Sequence, residues 1–435
     1  MKQLKSLLYI LIFVQTYGYA QSKTPSPAEQ QFFKNLTEVY NTNDSATYRK
    51  FYSTQLTDAK KIADNVGQMQ REFRFGSGKV ALKAIEPISA TETDLIFQTV
   101  AYGSWLRFMW ITDSLGHFKE HHMRPIRFSK SFLQAGALSQ KQILDSLDGY
   151  VQGMVSKKVF AGNVLVANGN HILYNKSYGN DPKGNANKVD KQMDLASMGK
   201  LFTTVSVLQL VDKGKLSLAD STGKLMPHLQ NKALSGITIK QLLTHTSGMG
   251  DYFEDPAYDP MAGKSFTDKD FLPAIENDKP HFAPGKGFRY SNTGFILLGL
   301  IIEKISGQKY NDYLQRNICK PVKMVSTLQT GGAGGGTSTV FDLYNFAEAL
   351  KTNKLLKPAT TKLLMNFNEG EWGLGQEYQK LGNEVITGHS GGFINACTEL
   401  NIYHNTGYVV VILSNSEPPF GHFLSDKIKE FIVRK

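Results

Sequence analysis

Where the β-patterned segments fall constrains the fold of this chain most. After a helical pattern over Ser139–Val155, Asn163–Ala167 and His171–Tyr174 flank Asn168-Gly169, a two-residue hairpin signal. Clear strands return only at Glu399–Tyr403 and Tyr408–Ser414, on either side of the turn His404-Asn405-Thr406-Gly407. From Asp194 to about Met365 the apolar spacing is mostly helical, and a last amphipathic helix is expected over Phe423–Val433. Strands at both ends with helices between them close most simply as one antiparallel sheet built from both ends of the segment. The helical insertion then packs beside that sheet.

The chain has 435 residues, more than one ordinary domain needs, so a second domain is expected. Helical patterning over Glu29–Tyr40 and near Thr47–Phe51 precedes four β-rich runs: Val80–Ile88, Asp94–Tyr102, Trp105–Asp113 and Phe118–Ile126. Turn residues such as Asp113-Ser114-Leu115-Gly116 separate them. Helices followed by an antiparallel meander resemble the NTF2-like cone fold, here over residues 21–135, with the second domain over 140–435. His117, Glu120, His121 and His122 sit on the last run. Adjacent histidines on a strand point to opposite faces, so a shared metal is not expected and solvated edge residues are.

Residues 1–20 read as a secretory leader. Lys2 and Lys5 precede the apolar run Leu7–Val14, and Gly18-Tyr19-Ala20 supplies small residues at a cleavage site. That run is too short to span a bilayer, so an exported protein, periplasmic or secreted, with no stable membrane span is expected. The formal charge of +11 is scattered rather than striped with aromatics, which excludes a dedicated nucleic-acid surface. Cys319 and Cys397 are the only cysteines and leave one disulfide or two buried thiols open. No CxxC or HExxH spacing is present.

Three short elements carry chemistry. In Ser197-Met198-Gly199-Lys200 the serine and lysine share a helix face, and the following Leu201–Leu208 is apolar enough to anchor them in a core. There Lys200 can take the Ser197 proton once burial lowers its pKa. The same spacing at Ser221/Lys224 falls in a turn, and at Ser306/Lys309 at a helix end. Tyr290-Ser291-Asn292 follows the loop Pro284-Gly285-Lys286-Gly287 and precedes an apolar helix from Phe295. A phenolate there can act as a base if cationic neighbours lower its pKa, and the Asn can bind a substrate amide. Tyr178/Asn180 and Tyr403/Asn405 share that spacing at a strand end and a turn. Gly388-His389-Ser390-Gly391-Gly392, just before the last strands, lets a substrate approach the backbone.

The order SxxK, YxN, HxG resembles the class C β-lactamases, D,D-peptidases and related esterases. Leu242-Leu243-Thr244-His245-Thr246-Ser247-Gly248, Gly334-Gly335-Gly336-Thr337-Ser338-Thr339 and Lys213–Asp220 add to the resemblance, which covers about 140–435. It implies an α+β fold, an antiparallel sheet flanked by a helical subdomain. It also implies Ser197 as an acylated nucleophile and Lys200 and Tyr290 sharing the base and acid roles. Asn292, His389, Gly391 and Gly392 would contact substrate, and the N–H groups of Ser197 and Gly392 would form the oxyanion hole. No metal or cofactor is implied. The implied partners are a small peptide, ester or β-lactam-like substrate, with peptidoglycan fragments among the candidates, and the oligomeric state is open.

His389 stands where many members carry Lys in a KTG triplet. A neutral His holds a substrate carboxylate less well, so peptides or esters are favoured over β-lactams. His245 reads as a structural loop residue. Gly388–Gly392 also fits the GxSxG elbow, but strands rather than a helix follow it, and no His follows Asp426 to complete a triad. A binding protein that kept the fold and lost turnover is the alternative function.

Overall fold

The computed structural model of the chain describes residues 24–73, 78–125, 135–255, 267–368, 370 and 372–434. The leader reading of residues 1–20 lies outside them. The chain divides into two compact units, residues 1–124 and 125–435.

In the first unit, α1 (Pro27–Thr42) starts at a reciprocal capping box between Ser26 and Glu29 and buries Phe33, Leu36, Thr37 and Tyr40 along one face. α2 (Ser45–Tyr52) begins at the Asp44 cap. A third helix, α3 (Ala59–Glu72), is absent from the sequence reading because its surface is mostly polar. Ile62, Val66 and Met69 alone carry its buried face, and Asp58 caps it. β1 (Val80–Pro87), β2 (Glu92–Thr99), β3 (Trp105–Thr112) and β4 (Phe118–Pro125) form a sheet in that order.

One expectation fails here. His121 is not solvated: it is 0% exposed. Its ring stacks 4.9 Å from Phe108, and Nδ1 lies 3.0 Å from the Tyr52 hydroxyl and 3.1 Å from Asn65 Oδ1. Strand alternation turns one of two adjacent histidines inward, and α2 and α3 supply its polar partners. His122 faces the other way and is partly exposed. Among the described residues, no group of three His, Cys, Asp or Glu side chains is placed to hold a metal.

The second unit opens with α4 (Gln140–Ser156), capped by Ser139 and Gln142. β5 (Gly162–Asn168) and β6 (His171–Tyr178) form the expected hairpin. β7 (Met193–Asp194) pairs with β8 (Thr337–Ser338) in a short separate ladder. β9 (Glu377–Leu381), β10 (Glu384–Phe393), β11 (Ala396–Tyr403) and β12 (Tyr408–Ser414) complete a six-stranded sheet of order β6-β5-β12-β11-β10-β9. Its strands pair antiparallel throughout, and β5 lies beside β12, so the sheet is assembled from both ends of the unit.

β12 is buried along its whole length because both sheet faces are covered. Val409, Val411 and Leu413 join the main core with the helical part. The alternate residues Val410 and Ile412 are buried on the other face, where α7 (Phe420–Ile432) packs on β11, β12 and α4. Two helices in the middle of the chain are buried almost all round: α5 (Lys200–Asp212) and α6 (Asn292–Ser306), which pack on each other. Their N-terminal ends carry the serine–lysine and tyrosine–asparagine elements. Among the described residues, no helix is long and apolar enough to cross a membrane. Cys319 and Cys397 are both buried free thiols.

Candidate active site

Ser197 lies in a tight 3-10 turn, Ala196–Gly199, that runs straight into α5. Ala196 takes a left-handed φ of 46°, held by the Asp194 carboxylate accepting its N–H at 2.6 Å. The surrounding chain clamps this turn. Leu195 N–H donates to Gly336 O at 3.0 Å, and Gly335 N–H to Ala196 O at 2.8 Å. Gly334, at φ +108°, has no room for a side chain, because a Cβ there would lie 2.5 Å from Ala196 O and 3.1 Å from Ser197 Cα. From the sheet side, Thr398 donates to Leu195 O at 3.1 Å. A Cβ on Gly391 would approach that same oxygen to 2.4 Å.

Lys200 is fully buried beneath Ser197. Its Nζ lies 3.1 Å from Ser197 Oγ and 2.6 Å from Asn292 Oδ1, and it also bonds Ala333 O. It sits 5.0 Å from the Tyr290 ring centroid. Burial pushes the amine down to about 7, against the nearby Asp251 carboxylate, which favours the charged form. The Ser221/Lys224 pair shows what the same spacing does elsewhere. Ser221 caps a short helix, and the exposed Lys224 pairs with Asp220 at 2.6 Å.

Tyr290 departs from the expectation of an easily formed phenolate. Burial drives its pKa well up, and the Ser197 hydroxyl beside it only partly opposes that. Lys200, the cation 5.0 Å from its ring centroid, has its own charge disfavoured by burial. The phenol hydroxyl is buried, without a partner in good hydrogen-bond geometry, and Ser197 is the group it approaches. His245 stacks on the Tyr290 ring at 4.3 Å, and its Nδ1 accepts the Ser291 N–H at 3.1 Å. The imidazole pKa is driven well below its ordinary value, first by burial. His245 thus sets the approach of the tyrosine element to α6.

Asn292 is the first residue of α6. Its Oδ1 faces Lys200, and its Nδ2 donates to Asp251 Oδ2 at 2.8 Å. The sequence reading missed Asp251, although it stands three residues beyond the quoted Leu242–Gly248 stretch. The role of the Ala333 carbonyl was equally hidden, since main-chain acceptors leave no residue signature.

An open cavity of about 590 Å³ lies over the serine. Ser197, Tyr290, Asn292 and Gly392 line it, with Tyr252, Phe253, Phe271 and Phe393 as an aromatic wall. Asp194 and Asp268 are its acidic members, and no Lys, Arg or His is among its described lining residues. Asp268 is buried against the glycine loop, where both its oxygens lie 3.0 Å from Gly332 N, and burial raises its pKa to about 7. The structure therefore brings Ser197, Lys200, Tyr290, Asn292 and Gly392 together. His389 and Gly391 are placed differently. His389 is buried on β10, its ring 5.5 Å from Trp372 and 6.5 Å from Tyr290. Gly391 packs against the segment before the serine.

Residues 147–328 match the family described as Beta-lactamase. The chain is 28% identical over 315 residues to penicillin-binding protein 4* of Bacillus subtilis, covering 60% of this chain and 69% of that one. It is 34% identical over 196 residues to protein Flp of Staphylococcus aureus, covering 43% of this chain and only 38% of Flp. Among solved structures, a penicillin-binding protein from Bacillus halodurans superposes with a TM-score of 0.57 at 24% identity, over 64% of this chain and 99% of that one. D-amino acid amidase from Ochrobactrum anthropi superposes with a TM-score of 0.59 at 20% identity, over 67% and 98%. These likenesses establish a β-lactamase/transpeptidase-like fold.

Proposed function

From the β-lactamase-family domain that this chain carries, we infer a serine hydrolase that works through an acyl-enzyme on Ser197. The observation behind this reading is a fully buried lysine amine, 3.1 Å from a serine hydroxyl that borders an open cavity. Neutral Lys200 takes the proton of Ser197 Oγ, and the oxygen attacks the substrate carbonyl carbon. The N–H groups of Ser197 and Gly392 receive the developing oxyanion. Tyr290, neutral and next to the serine oxygen, passes its proton to the departing amine or alkoxide, and Lys200 returns the proton that it gained to the Tyr290 oxygen, which restores both groups. Water then attacks the ester carbonyl along the reverse route and frees Ser197.

Amide or ester bonds are the substrates, with D-amino-acid peptides or amides and small esters ahead of β-lactams. The similarity to proteins named penicillin-binding protein and D-amino acid amidase supports this class. The cavity chemistry supports the order within it. A β-lactam or peptide carboxylate finds two acidic side chains and no cation among the described lining residues, while the aromatic wall suits an apolar substituent. We read the first unit as an NTF2-like accessory domain and the whole as an exported protein, in keeping with its leader-like first residues.

Intact-protein mass spectrometry after incubation with a D-amino-acid amide, a p-nitrophenyl ester and a penicillin tests the reading. A Ser197-dependent adduct or turnover with the first two is expected. No adduct from any of them, nor from a fluorophosphonate, would leave a ligand-binding protein as the remaining reading.

A further inference from the structure

Lys200 Nζ has three oxygen neighbours: Ser197 Oγ, Asn292 Oδ1 and Ala333 O. An ammonium can donate to all three. A neutral amine keeps two hydrogens and one lone pair. The Ala333 carbonyl can only accept. If the amide of Asn292 presents its oxygen, it also only accepts, and both hydrogens are then engaged. The lone pair is left facing the one neighbour that can donate, the Ser197 hydroxyl. If the amide is turned over, its NH2 donates to the amine and occupies that lone pair. The side chain of Asn292 therefore acts as a two-position switch on the base, and its orientation has to be fixed.

Asp251 fixes it. Its Oδ2 accepts from Asn292 Nδ2 at 2.8 Å and from the Asn292 backbone N–H at 2.9 Å, while its Oδ1 caps Phe253 N–H at 3.2 Å. A carboxylate serving three N–H donors has nothing to donate to an amide oxygen, so only the observed orientation is compatible with it. We propose that Asp251 is a positioning residue that, by locking the Asn292 amide oxygen onto Lys200, keeps the lone pair of the base free for the Ser197 proton. This rests on the acyl-enzyme reading. In the step served, the Ser197 O–H bond breaks, a new N–H bond forms on Lys200, and the oxygen electron pair goes to the substrate carbonyl carbon.

The charge of Asp251 acts in the same place. The titratable groups facing Lys200 are Asp251, Tyr290 and His245. Burial favours the neutral form of Tyr290 and of His245. That leaves the carboxylate as the charge able to hold a proton on the amine, so its removal makes the amine less basic as well as less well aimed.

The test is a double-variant cycle on the full chain, read with p-nitrophenyl acetate hydrolysis and with the rate of fluorophosphonate labelling of Ser197 between pH 5 and 10. Asp251→Asn and Asn292→Ala are each expected to lower kcat/KM about 10–100-fold on the alkaline plateau. Because one acts through the other, the double variant should fall within about twofold of the weaker single one. Asp251→Asn should also move the acid limb to lower pH by roughly one unit. Asp251→Ser keeps a cap for Phe253 N–H while removing the charge, and it carries the same prediction should the asparagine variant not fold. Multiplicative losses with an unmoved acid limb, or a variant within threefold of wild type, overturn the proposal. Wild-type protein that takes no label at Ser197 would instead sink the hydrolase reading beneath it.

Discussion

Ser197/Lys200 and Ser221/Lys224 share a spacing and little else. At the first pair the lysine begins a helix buried nearly all round, so its amine has lost water and bonds Ser197, Asn292 and the Ala333 carbonyl instead. At the second, the serine hydroxyl accepts Lys224 N–H to cap a four-residue helix, and the ammonium stays in solvent beside Asp220. Reactivity comes from what surrounds the pair. Burial shifts one amine toward neutrality, and the exposed pair is worth only what a surface ion pair is worth.

Substitutions at the two pairs sharpen this contrast. Ser197→Ala should cost at least about a thousandfold in p-nitrophenyl ester turnover while the thermal transition is retained. Turnover near the wild-type level would remove Ser197 from the mechanism. Lys200→Met, which fills the same space without an amine, should cost about 10²–10⁴-fold in the rate of fluorophosphonate labelling.

In the wild type that rate should depend on pH with the sign set by burial. Because the amine is pushed down to about 7, it is a free base above that value, and labelling declines as pH falls through it. A limb near pH 10 would mean that the amine keeps its water. Tyr290→Phe should cost roughly tenfold to a hundredfold in amide turnover, and less with p-nitrophenyl esters, whose leaving group needs no proton.

At the other pair, Ser221→Ala should lower stability by about 1 kcal/mol in urea unfolding through the lost cap, with unchanged turnover. Lys224→Ala should change stability by less than about 1 kcal/mol and leave turnover unchanged. Loss of activity in either variant would break the contrast.

The serine–lysine element was legible because the apolar run Leu201–Leu208 announces a buried helix. The hairpin at Asn168-Gly169 and the pairing of the two ends of the unit were legible for similar local reasons. Other features were not. Gly388–Gly392 has poor intrinsic strand preference, yet it lies mostly in the second half of β10, because pairing with β11 at Gly391↔Thr398 and Gly392↔Cys397 overrides it. His121 was misplaced because a strand pattern shows which residues oppose each other but not which face a polar helix covers. The protonated state of Tyr290 depends on total burial, which no spacing encodes. Asp251 went unseen because a single acid on a loop gains its meaning only from the amide that the fold brings against it.

The pairing of β5 with β12 has a consequence for how the protein comes into being. The strand that opens the sheet waits for β12, the last of the described strands, before it can be satisfied on that edge. Helices α5 and α6 can form early, but the turn bearing Ser197 is clamped on one side by β10 and β11, which also arrive late. Such long-range closure is slow and leaves apolar strand surface open while translation continues. The hydroxyl at the centre of the chemistry should thus be among the last features to take shape, and nascent chains stopped short of residue 414 should carry an inert serine.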